Sequence, residues 1–278
     1  MLFGGMQKLT LLDYPEKTAC TLFTIGCDFC CPFCQNSALI NPDGELMDGE
    51  SMQIKKPSPT GERTTQSVMH YISDTEVLDF LKTRKGLLDG VCISGGEPLL
   101  HDDLESFIDE VKSMDYLIKI DTNGSNPEKL KKLIASQKID FVSMDIKNTP
   151  EKYAHTIGFS EYDIYNVEES INILLSRTIP FEFRTTVVRE FHTEEDLLSI
   201  ARWILSLSSA QPPTSTPTRG TQKPQTQPPP TTIQYFLQKF IDSDGVKQKG
   251  LHSYSDAEMK QVLSDFTKIL PFADIRGV

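Results

Sequence analysis

Short apolar runs alternate with helical patterns along this chain, and that alternation narrows its fold more than any other feature. Runs near 19–25, 90–94, 117–121, 140–146, 181–188 and 233–238 read as strands. Segments near 74–85, 102–114, 127–136, 167–177, 193–205 and 255–268 carry apolar residues at helical spacing. Asp102-Asp103 and Thr193-Glu194-Glu195-Asp196 supply the acidic helix starts that suit the positive end of a helix dipole. Repeated strand-then-helix units build a parallel sheet. Six of them make an incomplete eight-stranded barrel, a partial (βα)6 TIM-like α/β barrel, with its chemistry at the C-terminal strand ends. A chain of 278 residues accommodates this as one domain, 1–278.

A parallel strand covered on both faces should be almost wholly apolar. Several of these are not. Side chains on one face recur every second residue, and polar residues share a parity: Lys119 and Asp121; Ser143, Asp145 and Lys147; Glu182, Arg184 and Thr186; Gln234 and Gln238. A polar-lined lumen that holds a ligand accounts for this pattern. The plainer alternative is charged strand ends reaching solvent.

Hydrophobic residues make up 38% of the chain, low enough that some segments should stand outside the core. The stretch 206–232, rich in Pro, Ser, Thr and Gln, buries too little apolar surface to offset its conformational entropy, and reads as a disordered insertion. A second polar insertion spans 51–66. Asp and Glu outnumber Lys and Arg by 39 to 28; the formal charge of −11 argues against nucleic acid or an anionic membrane as partner. No stretch approaches the roughly 20 apolar residues that span a bilayer, and no leader pattern opens the chain, so a cytoplasmic protein is expected.

Six cysteines occur, at 20, 27, 30, 31, 34 and 92, and four of them fall within eight consecutive positions. Such crowding favours metal ligation over disulfides. Cys27-x3-Cys31-x2-Cys34 follows the first strand, and three soft thiolates on one loop can serve three irons of a 4Fe-4S cubane, leaving the fourth iron open. The register Cys27-x2-Cys30-x3-Cys34 is also possible, as is a structural cluster or zinc. Cys20 and Cys92 lie inside strands and read as core residues.

Ser94-Gly95-Gly96-Glu97-Pro98 follows the second strand. Its glycines let backbone approach a ligand closely, and its glutamate can accept from an ammonium group, although alone it also reads as a tight turn. Arg184 could grip a carboxylate bidentately or form a structural salt bridge with Glu182 or Asp145. The five histidines show no metal-ligand spacing.

The cysteine triad and Gly95-Gly96-Glu97-Pro98, in this order, resemble those of the radical S-adenosylmethionine (SAM) superfamily. More narrowly, several motifs resemble the anaerobic ribonucleoside-triphosphate reductase activating proteins. They are Leu11-Leu12-Asp13-Tyr14-Pro15, Arg84-Lys85-Gly86-Leu87-Leu88-Asp89-Gly90, Asp121-Thr122-Asn123-Gly124, Met144-Asp145-Ile146-Lys147 and Phe183-Arg184-Thr185-Thr186-Val187-Val188.

The resemblance implies the radical SAM type of partial barrel and a 4Fe-4S cluster held by Cys27, Cys31 and Cys34. SAM would be contacted by Gly95, Gly96, Glu97, Pro98, Asp121, Thr122, Asn123, Asp145, Lys147 and Arg184, with a monovalent cation near Asp121 and Thr122. It further implies a 5′-deoxyadenosyl radical, a glycyl-radical partner reductase, and an electron donor such as flavodoxin or ferredoxin. Gln35 departs from the pattern, since many relatives carry histidine after the third cysteine; the proline-rich insertion departs from it too.

Overall fold

The computed structural model describes residues 1–40, 71–210 and 233–278. The polar segment 51–66 lies outside them. In chain order the elements are β1 (Leu2–Thr10), β2 (Ala19–Thr24), α1 (Ser37–Ile40), β3 (Ile72–Ser73), α2 (Asp74–Arg84), β4 (Gly90–Gly95), α3 (Leu104–Lys112), β5 (Leu117–Thr122), α4 (Pro127–Ala135), β6 (Phe141–Asp145), α5 (Pro150–Ile157), α6 (Tyr165–Leu175), β7 (Phe181–Val187), α7 (Glu194–Ala210), β8 (Gln234–Lys239), α8 (Asp256–Phe266) and β9 (Ala273–Arg276).

All six expected strands form, and they pair in parallel in the order β2-β4-β5-β6-β7-β8. Three strands extend that set. β1 runs antiparallel beside β2, β3 pairs with β1, and β9 adds a parallel strand beyond β8. These edge strands were not read from the sequence because β1 is largely half-exposed, β3 has two residues and β9 four, too few to show a period.

One face of the sheet is apolar. Leu22, Val91, Ile93, Ile118, Ile120 and Val142 are fully buried against the helices, which turn residues such as Leu81, Ile108, Leu130 and Ile171 toward them. Burial at helical spacing on α3 (Leu104, Phe107, Ile108, Val111) is the same pattern seen from the other side of the interface. Ser73 and Ser255 start α2 and α8 with reciprocal caps to Glu76 and Glu258, which fix where those helices begin.

Two boundaries differ from expectation. Helix α7 continues to Ala210, so residues 206–210 belong to a helix rather than to the proline-rich insertion; 211–232 lie outside the described residues. An unforeseen helix, α5, sits between β6 and α6, introduced by Pro150 and ended by Gly158 in a left-handed conformation. Among the described residues no helix is long and apolar enough to cross a membrane.

Candidate active site at the C-terminal strand ends

The loop after β2 carries the cysteines and is fixed by main-chain hydrogen bonds. Gly26 donates to Leu39 O (2.7 Å) and accepts from Glu97 N (2.8 Å), while Gly96 N donates to Thr24 O (2.9 Å). The loop leaving β4 therefore lies directly on the loop leaving β2. Glycine is required there: a Cβ on Gly96 would stand 1.9 Å from Gly26 O, and Gly95 holds φ +112° with Thr24 N 2.3 Å from its would-be Cβ.

A second clamp comes from the segment after β8. Gln248 N donates to Pro32 O (2.8 Å) and Lys247 N to Cys34 O (3.3 Å). The Gln35 side chain donates to Ile241 O (2.9 Å) and so joins this clamp.

Cys27, Cys31 and Cys34 line one cavity of about 280 Å³; Cys30 does not. Cys30 instead has its N–H on Ile157 O (2.9 Å) and its carbonyl within 3.4 Å of Lys247 Nζ. Burial pushes the Cys31 thiol up to about 12 and raises those of Cys34 and Cys27, the last helped by neighbouring Asp28. These thiols keep their protons until a metal displaces them. Among the described residues no three His, Cys, Asp or Glu side chains are grouped as for a single metal ion; a cubane asks for one thiolate per iron, which three thiols spread around one cavity can provide. Cys20 and Cys92 are fully buried, as expected of strand cysteines.

Across the cavity from the thiols stand the strand-end residues predicted from the sequence. Gly95, Gly96, Asp121, Thr122 and Asn123 line it, as do Asp145, Lys147 and Arg184. The charged ones form a continuous ionic chain. Arg184 donates from Nε to Asp145 (2.8 Å) and from a terminal nitrogen to Asp121 (3.2 Å); Lys147 reaches Asp145 (3.0 Å), and buried Lys119 bonds Asp121. Burial alone would raise the aspartates and lower the cations, but the opposite charges win. Asp121 and Asp145 fall below the usual carboxylate range, while Lys119, Lys147 and Arg184 rise. The shared strand parity thus marks a polar lumen rather than strand ends in solvent. Arg184 pairs with Asp145 and Asp121; Glu182, the other partner considered, is taken by Arg276.

Glu97 and Pro98 are buried behind the cavity rather than lining it. The Glu97 carboxylate accepts from Leu99 N (3.0 Å), Thr122 Oγ1 (2.8 Å) and Asn123 N (2.7 Å), and burial with nearby Asp28 pushes its pKa up to about 8. Asn123 extends the link by donating to Asp28 (2.8 Å), so Glu97 ties the end of β5 to both glycine and cysteine loops.

Sequence reasoning had picked out Thr186 and Gln238, which also line the cavity, only through parity. Asp13 entered only as part of a family motif and was given no place in the site; it arrives from the turn after β1, lines the cavity and accepts from Thr21 (2.5 Å). Sequence reasoning missed His192, fully buried with Nε2 2.7 Å from Lys147 O, which fixes the backbone below that lysine.

Soft thiols on one wall, open glycine backbone beside them and fixed charges of both signs opposite suit an iron–sulfur cluster with a small zwitterionic ligand. Residues 21–204 match the family described as the Radical SAM superfamily. MJ1227 of Methanocaldococcus jannaschii, named as a candidate glycyl-radical enzyme activating enzyme, is 30% identical over 207 residues, covering 73% of this chain and 75% of that protein. An S-adenosylmethionine-dependent nucleotide dehydratase of Selenomonas ruminantium is 27% identical over 142 residues, 46% of this chain and 51% of the other. Among solved structures, Streptococcus suis SuiB superposes with a TM-score of 0.60 at 11% identity, over 93% of this chain but 49% of SuiB, so the chain spans about half of that protein and shares its fold.

Proposed function

The chain belongs to the radical SAM superfamily, and from that premise we propose that it activates a glycyl-radical protein, specifically an anaerobic ribonucleoside-triphosphate reductase. Membership makes it a radical SAM oxidoreductase. In this reading Cys27, Cys31 and Cys34 hold a 4Fe-4S cluster and SAM occupies the rest of the cavity. A reduced 4Fe-4S cluster held by Cys27, Cys31 and Cys34 would supply one-electron reductive cleavage of the SAM C5′–S bond, with the electron drawn from a flavodoxin or ferredoxin; methionine would be one product, and 5′-deoxyadenosine the other once a glycine Cα has given up its hydrogen atom.

The protein's own residues bind and orient. Lys147 and Arg184 offer donors to the SAM carboxylate, and Asp121 and Asp145 offer acceptors to its cationic groups. Gly95 and Gly96 let SAM approach main chain, and Thr122 and Asn123, anchored on Glu97, hold the end of β5 against it. Asp121 with Thr122 is also the proposed neighbourhood of a monovalent cation. Glu97 and Pro98 act from behind, by fixing the glycine turn.

One observation carries the choice of a macromolecular substrate. The cavity of about 280 Å³ falls at the lower edge of pockets that hold one drug-sized ligand, about 300–1,000 Å³. In this reading the cluster and SAM take up that volume, which leaves the hydrogen donor to be presented at the mouth, as a glycine loop would be. The likeness to MJ1227 supports the same choice. A second reading keeps the chemistry and changes the substrate to another glycyl-radical enzyme, a peptide or a small molecule; the partial likeness to a nucleotide dehydratase favours the last of these.

The test mixes anaerobically reconstituted, reduced protein with SAM and an anaerobic ribonucleotide reductase. A glycine-centred paramagnetic signal, with one 5′-deoxyadenosine formed per radical, is the expected result. Deoxyadenosine without any glycyl radical, together with turnover of a nucleotide, would move the assignment to the second reading.

A further inference from the structure

Glu182 poses a problem for the lumen. It is 1% exposed and lies on the same face of β7 as Arg184, two residues away. Arg184 and Lys119 are both close enough to feel its charge. An unpaired carboxylate here would compete with Asp121 and Asp145 for those cations.

Arg276 removes the competitor. Its guanidinium forms a fork onto Glu182, at 2.8 Å to Oε1 and 2.7 Å to Oε2, with Ser143 Oγ adding a third donor at 2.7 Å. The contact is not between neighbours in register. Arg276 on β9 sits opposite Gln238 of β8, whereas Glu182 on β7 sits opposite Gln234. The arginine therefore reaches diagonally across the lumen face of β8, with its guanidinium 3.5 Å from the centroid of the Phe236 ring. A planar fork resting on an aromatic ring is pre-organised for bidentate pairing, as a lysine would not be.

We propose that Arg276 is a positioning residue for the cofactor site: by holding Glu182 it keeps Arg184 turned up onto Asp145 and Asp121, where SAM is read. The edge strand β9 then has a role beyond closing the sheet, since it delivers the cation that sets the charge pattern two strands away. This inference rests on the SAM site and is independent of which protein or metabolite receives the radical.

The test compares R276Q, E182Q and the double variant R276Q/E182Q in the cluster-loaded protein. Each is read by equilibrium SAM binding, by 5′-deoxyadenosine formation with dithionite and no partner present, and by thermal melting. R276Q should weaken SAM binding about tenfold, because the freed carboxylate recaptures Arg184. E182Q should stay within about twofold of the unsubstituted protein, and R276Q/E182Q should regain most of the loss although its melting temperature stays low. That restoration is what a merely structural pair would not show. R276Q binding SAM normally, or the double variant binding no better than R276Q, would overturn the proposal. If R276Q fails to fold, E182Q still decides: a tenfold loss there would mean that Glu182 itself, not its sequestration, serves the site. All three readouts omit the partner, so a wrong substrate assignment leaves the result untouched.

Discussion

The rim of the site and the floor of the lumen are built on different principles. At the rim the cysteine loop, the glycine turn and the segment after β8 are joined by main-chain hydrogen bonds, such as Glu97 N to Gly26 O and Gln248 N to Pro32 O. At the floor, Lys119, Asp121, Arg184 and Asp145 are joined by ionised side chains, and the partly exposed Arg276 holds Glu182 apart from them. A main-chain clamp is indifferent to charge but intolerant of an added atom. An ionic floor tolerates changes of shape but not an unpaired charge, because removing one partner strands the other in a low-dielectric interior. In the proposed function the rim holds its thiols in place whatever the charge on the ligand, while the ionic chain of the floor supplies the recognition.

The largest effect should separate ligands from bystanders within the rim itself. Cys27→Ala, Cys31→Ala and Cys34→Ala should each lose the cluster and reduce 5′-deoxyadenosine formation by about a thousandfold or more, since a missing thiolate leaves an iron uncoordinated. Cys30→Ala, whose side chain is outside the cavity lining, should remain within about twofold. Iron and sulfide analysis beside the deoxyadenosine assay checks this. Cluster loss in Cys30→Ala with retention in Cys31→Ala would show that the loop uses the other register.

A second pair sets the two regions against each other directly. Gly96→Ala places a methyl where Gly26 O stands 1.9 Å away, and both sides are backbone that cannot rotate aside, so it should cost about 3 kcal/mol. Ser143→Ala on the floor removes one hydrogen bond to Glu182 while Arg276 keeps its fork, and should cost about 1 kcal/mol. Denaturant melts of the two variants give the comparison. Equal costs would mean that the rim relaxes more readily than its main-chain clamp implies.

These differences explain what the sequence revealed. The six parallel strands were legible as short apolar runs between helical patterns, and the floor was legible because four of them also carry polar residues at one parity: Asp121, Asp145 and Arg184 announce themselves as charges on strand positions. The thiols were legible through spacing. What stayed hidden was whatever depends on contact between distant segments. Arg276 sits on a four-residue strand with no visible period, and the clamp from Lys247 and Gln248 uses backbone atoms that every residue has. Glu97 was found by its motif, but the three internal donors its carboxylate accepts from, on Leu99, Thr122 and Asn123, were not. A motif marks where a residue is needed; only the packing shows which way it points.

Glu97 belongs to both regions, being a buried carboxylate held largely by main-chain N–H groups, and it gives the smallest and most pointed test. Burial, then Asp28, pushes its pKa up from an ordinary 4.5 to about 8 against the three donors. Between those values the folded protein binds more protons at this site than the unfolded chain does, so stability falls as pH rises through that window. Glu97→Gln removes the titrating group. From pH 5 to pH 6 the melting temperature of the unsubstituted protein should therefore fall about 3 °C more than that of the variant. A flat difference would mean that the three donors keep Glu97 ionised throughout, and that here the main-chain clamp outweighs the cost of burying charge. The rim would then be held by the same currency as the floor, and the contrast between them would shrink to a matter of which atoms supply the donors.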